Sequence, residues 1–195
     1  MEFFKLSELK SALKILSLDK RAIALLEAKV QIERLSWFIF FVPAVFYLLF
    51  VFFFSTGGFS LMAVKFGFWP LVIPQFALML SVLIVSYLCN RYLHGHGNLK
   101  GLFNVYANFS IIYWLGIVIV LLDYIGLLNA SALFNLFFAV ALVWAIVLFN
   151  RLLLNSFKIH KNEVLVCLGL TVFVYFLVSE LLGNIFIGAF YRFFI

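Results

Sequence analysis

The sequence predicts an all-α membrane protein: five transmembrane helices, preceded by an N-terminal amphipathic helical segment that lies in the membrane interface. Composition is the first observation behind this fold class. Hydrophobic residues make up 67% of the 195 residues and charged residues only 11%, whereas a soluble domain is about 45–50% apolar and about 25% charged. The second observation is that the charged residues are clustered, which leaves five long runs without charge. A helix needs about 20 apolar residues to cross a hydrocarbon core of roughly 30 Å.

The uncharged runs mark the predicted spans. The five helices are expected near residues 37–55, 70–90, 104–124, 131–151 and 163–183. The first run is long enough to hold a loop as well, and Gly57 and Gly58 favour a turn there. The chain therefore divides into an N-terminal segment, residues 1–35, and a transmembrane domain, residues 36–195.

The N-terminal segment has a helical pattern but carries too much charge to span a membrane. Its leucines fall three and four residues apart, with lysines between them: Leu6, Leu9, Leu13 and Leu16 with Lys10 and Lys14. Asp19 follows a break in this pattern and can cap a second helix. An apolar stripe with a basic border favours a helix in the membrane interface, its lysines near anionic head groups. The alternative is a cytosolic helix that packs on the loops of its own bundle.

The distribution of Lys and Arg predicts the orientation of the chain. The N-terminal segment holds seven of these residues, the second connection two and the fourth connection three. The first connection and the C-terminus hold one each, and the third connection holds none. With five spans the two groups fall on opposite sides, and the positive-inside rule places the more basic side in the cytoplasm. The N-terminus is therefore predicted inside and the C-terminus outside.

Residues 91–104 form the most polar stretch between two predicted spans. His94 and His96 lie there beside Gly95 and Gly97, and His160 lies in the fourth connection on the same predicted side. Three imidazoles can bind zinc, but no carboxylate or cysteine is spaced to complete the ligand set. We therefore expect neither a metal nor a cofactor. The simpler interpretation is a chain reversal, which the two glycines permit.

Few ionisable or reactive side chains lie within the predicted spans. Asp123 and Glu180 both fall near the outer end, where a pair of carboxylates could serve as a proton or cation site. The simpler interpretation is that each lies separately at the water interface. Cys89 and Cys167, the two cysteines of the chain, are predicted at cytoplasmic helix ends. The cytoplasm is reducing, so a disulfide between them is not expected.

Two asparagines are placed to join helices. Asn104 and Asn108 are four residues apart and share one helix face. Such side chains hydrogen-bond between helices in lipid, at about 0.6 kcal/mol each. We expect these two to stabilise packing rather than to line a transport path.

Parts of the chain resemble the bacterial and archaeal members of the Yip1 family of membrane proteins. The matching positions are Gly95, Gly97, Leu102, Val105 and Tyr106 in a Gly-x-Gly turn and the helix after it, and Trp144, Lys158, His160 and Lys161 around a basic fourth connection. The resemblance covers roughly residues 35–185. It implies five spans, a cytoplasmic N-terminus and a bacterial or archaeal cell membrane, and it implies architecture rather than activity. The family often has a proline soon after the Tyr-Ala position, and residues 108–112 have none.

The function predicted from these features is non-catalytic. No HExxH, GxSxG or Walker sequence is present. The basic cluster of Arg91, His94, His96 and Lys100 has no carboxylate to orient a histidine. We expect a scaffold, or a protein that organises membrane lipids or a membrane-protein partner, with a homo-oligomer as one form of that partner. The alternative is a small oligomeric transporter or channel. The basic residues suit a membrane surface, so the net charge of +6 predicts no nucleic-acid partner.

Overall fold

The computed structural model describes residue 10 and residues 13–54, 69–125, 127 and 130–194. These residues form helices and connecting turns, with no β-strand among them. Residues 13–16 are helical, and seven helices with both ends described follow in chain order: α1 (Lys20–Glu27), α2 (Arg34–Phe54), α3 (Trp69–Tyr92), α4 (Leu99–Phe109), α5 (Ile112–Tyr124), α6 (Ala130–Asn155) and α7 (Lys161–Phe194). The all-α prediction is confirmed for this part of the chain.

Three stretches of the described chain are long and apolar enough to cross a membrane. They are Val72–Tyr92, Leu99–Ile119 and Lys161–Ile185, and they overlap the predicted second, third and fifth spans. Shorter apolar helices cover Arg34–Tyr47 and Ala139–Asn155, at the predicted first and fourth spans. The described part of the chain is therefore helical and has three stretches of membrane-spanning character, as expected of a membrane protein.

The stretch of the predicted third span consists of two helices, α4 and α5, separated by a turn at Ser110. The Ser110 hydroxyl donates to the Tyr106 carbonyl at 3.0 Å, and serine hydroxyls that bond back in this way often bend helices. The Tyr113 N–H then donates to the Ser110 carbonyl at 2.9 Å, three residues back. The tighter turn redirects the chain without a proline.

The central element of the bundle is α4, in which every residue from Gly101 to Phe109 is buried. Its apolar side chains share one core with buried residues of α3, α6 and α7. The Tyr106 hydroxyl donates to the Ala145 carbonyl of α6 at 2.8 Å. This close contact is possible because Ala145 presents only a methyl group.

The peripheral element is α7. In its membrane-spanning stretch 22% is buried, against 61% in α3, and α7 packs chiefly against α3. Large apolar side chains such as Leu165, Phe173 and Phe176 are exposed along it. In a membrane such side chains face lipid, which is as apolar as they are.

The N-terminal segment packs on the bundle. Asp19 caps α1 as predicted: its Oδ1 accepts the N–H groups of Arg21 at 2.8 Å and Ala22 at 3.2 Å. Several apolar side chains of this segment are buried in the same core as the bundle helices: Ile15, Leu18, Ala22, Ile23 and Leu26. Leu13 of the predicted stripe is instead half exposed. Residues 13–33 thus pack on helices of the bundle as well as on the loops that the predicted alternative named. Leu6 and Leu9 lie outside the described residues, so the interfacial placement of residues 1–35 stays a prediction.

Candidate functional site: a polar cap at one end of the bundle

Three segments meet at one end of the bundle and form what we call the cap: residues 13–33, the 93–98 loop and the 156–160 loop. The two loops are adjacent, because the His96 N–H donates to the Phe157 carbonyl at 3.4 Å. The first segment contacts both loops, because Glu27 accepts hydrogen bonds from Asn98 and from Ser156. The cap therefore brings together the N-terminal segment and the predicted second and fourth connections, the three most basic parts of the chain.

Asn98 joins the 93–98 loop to the N-terminal segment. Its Oδ1 accepts the Lys100 N–H at 3.1 Å, which caps α4. Its Nδ2 donates to the carbonyls of Glu27 at 3.0 Å and Lys29 at 2.9 Å. One side chain thus caps α4 and satisfies carbonyl groups at the end of α1, which have no partner within that helix.

Asn104 extends the same connection further along α4 and is fully buried. Its Oδ1 accepts the Glu33 N–H at 2.9 Å, and its Nδ2 donates to the Gln31 carbonyl at 2.9 Å. Asn108, one turn further along α4, donates to the Ser36 hydroxyl at 2.9 Å. The predicted hydrogen bonding between helices is confirmed for Asn108, whereas Asn104 bonds to chain outside a helix. Their partners are the chain that leads into α2 and the start of α2 itself.

Two side chains of α6 hold the other end of the segment. The Arg151 guanidinium donates to the Leu18 carbonyl at 2.8 Å, and the Trp144 indole N–H donates to the Leu16 carbonyl at 2.8 Å. Leu18 has a φ of 57°, a left-handed conformation that costs an L-residue energy. Burial of its side chain and the hydrogen bond from Arg151 stabilise that conformation.

Gly101 and Gly97 are required for space. A Cβ at Gly101 would lie 1.9 Å from the Glu27 carbonyl oxygen, and one at Gly97 would lie 2.0 Å from the Phe157 ring. The main chain of α1 therefore lies directly on α4, and the 93–98 loop lies directly on Phe157. Any side chain larger than a hydrogen atom would separate these surfaces.

The chain turns at residues 93–98, which include the predicted turn glycines Gly95 and Gly97. The residue with left-handed backbone in this loop is His94, with a φ of 53°, and neither glycine has such a φ. Asn90 stabilises the turn, because its side chain accepts the Gly97 N–H at 3.1 Å and donates to the Gly97 carbonyl at 2.8 Å. The glycines permit close packing, and Asn90 supplies the hydrogen bonds of the turn.

The carboxylates of the cap are engaged with neighbouring groups. The Ser156 hydroxyl donates to Glu27, and Glu33 forms an ion pair with Lys29. Burial raises the pKa of Glu27, and the hydrogen bond from Ser156 partly opposes that rise. The pKa of Asp19 is lowered by the N–H groups of Ala22 and Arg21 that its carboxylate accepts.

The outward surface of the cap and of the adjoining helix ends is basic. Its exposed cations are Lys14, Lys20, Arg21, Lys29, Arg34, Arg91, Lys100, Lys158 and Lys161. The carboxylates in this part of the described chain are fewer, and the preceding contacts engage three of them. A surface of this kind attracts anionic groups, over a distance of about 8–10 Å at physiological salt.

The histidines and carboxylates singled out in the sequence do not converge. His94, His96 and His160 are exposed, and the described residues contain no cluster of three or more metal-ligating side chains. Glu180 is exposed near the far end of the membrane-spanning part of α7. The side chain of Asp123 lies outside the described part of the structure. The idea of a carboxylate pair therefore stays a prediction.

A contact that sequence reasoning missed joins α3 to α7. The Sγ atoms of Cys89 and Cys167 lie 3.0 Å apart, and both side chains are buried with free thiols. The two residues are 78 positions apart in the chain. The predicted placement of both cysteines at helix ends on the same side was the one available signal of this proximity.

Comparison with known proteins adds no relative. No family model matches the chain, and neither the curated proteins nor the solved structures contain a significant match. The resemblance to the Yip1 family therefore stays a prediction that rests on the pattern of spans, glycines and basic connections.

Proposed function

We propose that this chain is a non-catalytic multi-pass membrane scaffold whose basic cap organises anionic lipids or a membrane-protein partner at the cytoplasmic surface. The observation that carries the proposal is the use of the polar side chains in the cap. Asn90, Asn98, Asn104 and Arg151 all bond to main-chain groups of neighbouring segments. Catalysis needs a base or a nucleophile that is free to contact a substrate. These side chains instead hold a rigid basic surface in place.

The proposed topology has five spans with the N-terminus in the cytoplasm. The helices α2, α3, α6 and α7 each supply one span, and α4 with α5 supplies the remaining one. The positive-inside rule supports this orientation, because the most basic segments of the chain meet in the cap.

Cysteine labelling tests the orientation. Single cysteines are introduced in a background with both native cysteines replaced by serine, one at Leu127 between α5 and α6 and one at Asn162 at the start of α7. Both positions are exposed. We expect an impermeant maleimide to label Leu127→Cys in intact cells, and Asn162→Cys only after the membrane is opened. Labelling of Asn162→Cys in intact cells would refute the topology.

The scaffold function is tested by mild detergent extraction followed by identification of bound lipids and proteins. A variant with Lys20, Arg21 and Lys100 changed to Gln removes exposed cations and leaves the hydrogen bonds described above intact. We expect the wild-type protein to retain anionic lipid or a stoichiometric partner, and the variant to lose at least half of it. Equal retention by both proteins, with equal thermal stability, would contradict a role for the basic cap.

A second candidate function is transport by a homo-oligomer, and one observation favours it. Gln75 Oε1 and Ser86 Oγ are buried in α3 without a hydrogen-bond partner in the described structure. Unpaired polar atoms at membrane depth are costly, and they mark water or ion paths in transporters. The two residues are eleven positions apart, close to three helical turns, so both lie on one face of α3.

Flux measurements in liposomes distinguish the two candidates. If α3 lines a path, the wild-type protein should conduct protons or cations, and Ser86→Ala should reduce the flux several-fold. Ser81→Ala is the matched control: Ser81 is equally buried in α3, but its hydroxyl donates to the Leu78 carbonyl at 2.9 Å. Absence of flux from the wild-type protein would leave the scaffold as the function.

A further inference from the structure

We propose that Cys89 and Cys167 are a site of reversible oxidation, where a disulfide forms between them and fastens α7 covalently to α3. The inference goes beyond the proposed scaffold function and does not depend on it. It rests on the position of the two thiols and on the way α7 is attached to the bundle.

The geometry brings the two sulfur atoms together without a covalent bond. The Sγ–Sγ distance is 3.0 Å, and a disulfide bond is about 2.05 Å long, so a relative shift of about 1 Å joins them. Both residues are buried in the core shared by α3, α4, α6 and α7. Core packing holds the thiols at this distance and gives them a high effective concentration toward each other.

A disulfide at this position would strengthen the attachment of α7 to the rest of the bundle. Cys89 lies one turn before the end of α3, and its carbonyl accepts the N–H groups of Leu93 at 3.0 Å and Gly95 at 3.2 Å. Cys167 lies near the start of α7, on the side that packs on α3. Because α7 is the least buried of the three membrane-spanning stretches, its attachment depends mainly on this one interface. A disulfide would fix the start of α7 beside the 93–98 loop of the cap.

Hydrogen peroxide can oxidise the two thiols to the disulfide in two steps. One sulfur attacks an oxygen of hydrogen peroxide and becomes a sulfenic acid, and one water molecule is released. The second thiol then attacks the sulfenic sulfur, the S–S bond forms, and a second water molecule leaves with the proton of that thiol. Two thiols and one peroxide thus give one disulfide and two waters. A dithiol reductant reverses the reaction by thiol–disulfide exchange.

Burial has two effects on this site. It shields the thiols from bulk reductants and from charged reagents, which slows reaction in both directions. Small neutral oxidants are less excluded, and once one sulfur is oxidised the second is already in contact with it. The pair therefore favours the intramolecular disulfide over further oxidation or a bond to another protein.

The test uses the full chain in lipid nanodiscs and counts free thiols. Protein reduced and then treated with hydrogen peroxide is denatured and alkylated with a maleimide polymer that adds a visible mass per thiol. The chain has only two cysteines, so each gel band reports both. We expect two tags before oxidation, none after it with the protein still monomeric, and two again after dithiothreitol. The disulfide should raise the midpoint of thermal unfolding by roughly 5–15 °C.

Two variants make the test specific. Cys89→Ser has no second thiol and should keep its one tag under the same treatment. Cys167→Ser with Thr171→Cys moves one thiol about one turn along α7 to another buried position, about 6 Å away, and should keep both tags. The proposal is overturned if the wild-type protein keeps both tags, if it loses them only as a disulfide-linked dimer, or if dithiothreitol fails to restore them. It is also overturned if the displaced pair oxidises as readily as the native one.

Discussion

Replacing Gly101 with alanine probes how tightly the N-terminal segment is held on the bundle. The added Cβ would lie 1.9 Å from the Glu27 carbonyl oxygen, 2.6 Å from its carbonyl carbon and 2.7 Å from its Cα. All three atoms belong to the main chain, so no side chain can rotate out of the way. Ordinary carbon contacts are about 3.5–4.0 Å, so α1 has to move away from α4 by roughly 1.5 Å. That movement stretches the hydrogen bonds from Asn98 to Glu27 and Lys29.

Three effects set the size of the expected change in the docking of α1: two weaken it and one opposes them. Overpacking of a close contact costs about 1–3 kcal/mol, and two weakened hydrogen bonds cost about 0.5–1.5 kcal/mol each. Alanine is the better helix former by about 1 kcal/mol. The sum is a net loss of about 1–5 kcal/mol in the docking of residues 20–33, and its midpoint of about 3 kcal/mol corresponds to a roughly 100-fold rise in local opening at 1.4 kcal/mol per factor of ten.

Hydrogen–deuterium exchange of the full chain in nanodiscs measures this opening. Protection of the amides of α1 and of Glu33 should fall by that factor in Gly101→Ala, while α3 and α7 keep theirs. Gly169→Ala is the matched control, because a Cβ at Gly169 meets nothing within 4 Å; it should leave α1 unchanged. Unaltered protection of α1 in Gly101→Ala, or an equal loss in both variants, would refute the close packing of α1 on α4.

Two further predictions concern the same region. Asn104→Ala leaves the Glu33 N–H and the Gln31 carbonyl without their partner. It should lower the free energy of unfolding by about 1–3 kcal/mol, which thermal denaturation measures. Asn155→Ala, at an exposed position, is the control and should lower the free energy of unfolding far less. Because burial raises the pKa of Glu27, its folded form binds a proton more readily than its unfolded form. The stability it contributes is therefore present below the unfolded value of about 4.3 and is lost as pH rises through the higher folded value. Glu27→Gln should remove this part of the pH dependence of α1 docking, and an unchanged pH profile would contradict the burial of that carboxyl group.

The elements that sequence reasoning predicted well are those decided by local chemistry. Asp19 is a cap because it can accept an N–H group two or three residues ahead, a contact that depends only on nearby chain. The apolar runs predict helices of membrane-spanning character because the bilayer requires every backbone group to be paired within the segment. Asn104 and Asn108 could be expected to join elements because an i, i+4 pair shares a face.

The sequence by itself therefore determined the all-α class, the approximate helices, the cap at Asp19 and the basic character of one set of connections. The tertiary structure decided what each surface meets. Periodicity predicts an apolar stripe that includes Leu13 and Leu16, but lipid and a protein core are both apolar, so the pattern cannot tell which side chains a core covers, and the structure buries Ile15 and leaves Leu13 exposed. The bonds from Asn98 to α1 and the contact between Cys89 and Cys167 span 69–78 positions. Such contacts follow from how the helices pack together, and no local preference of the chain encodes them.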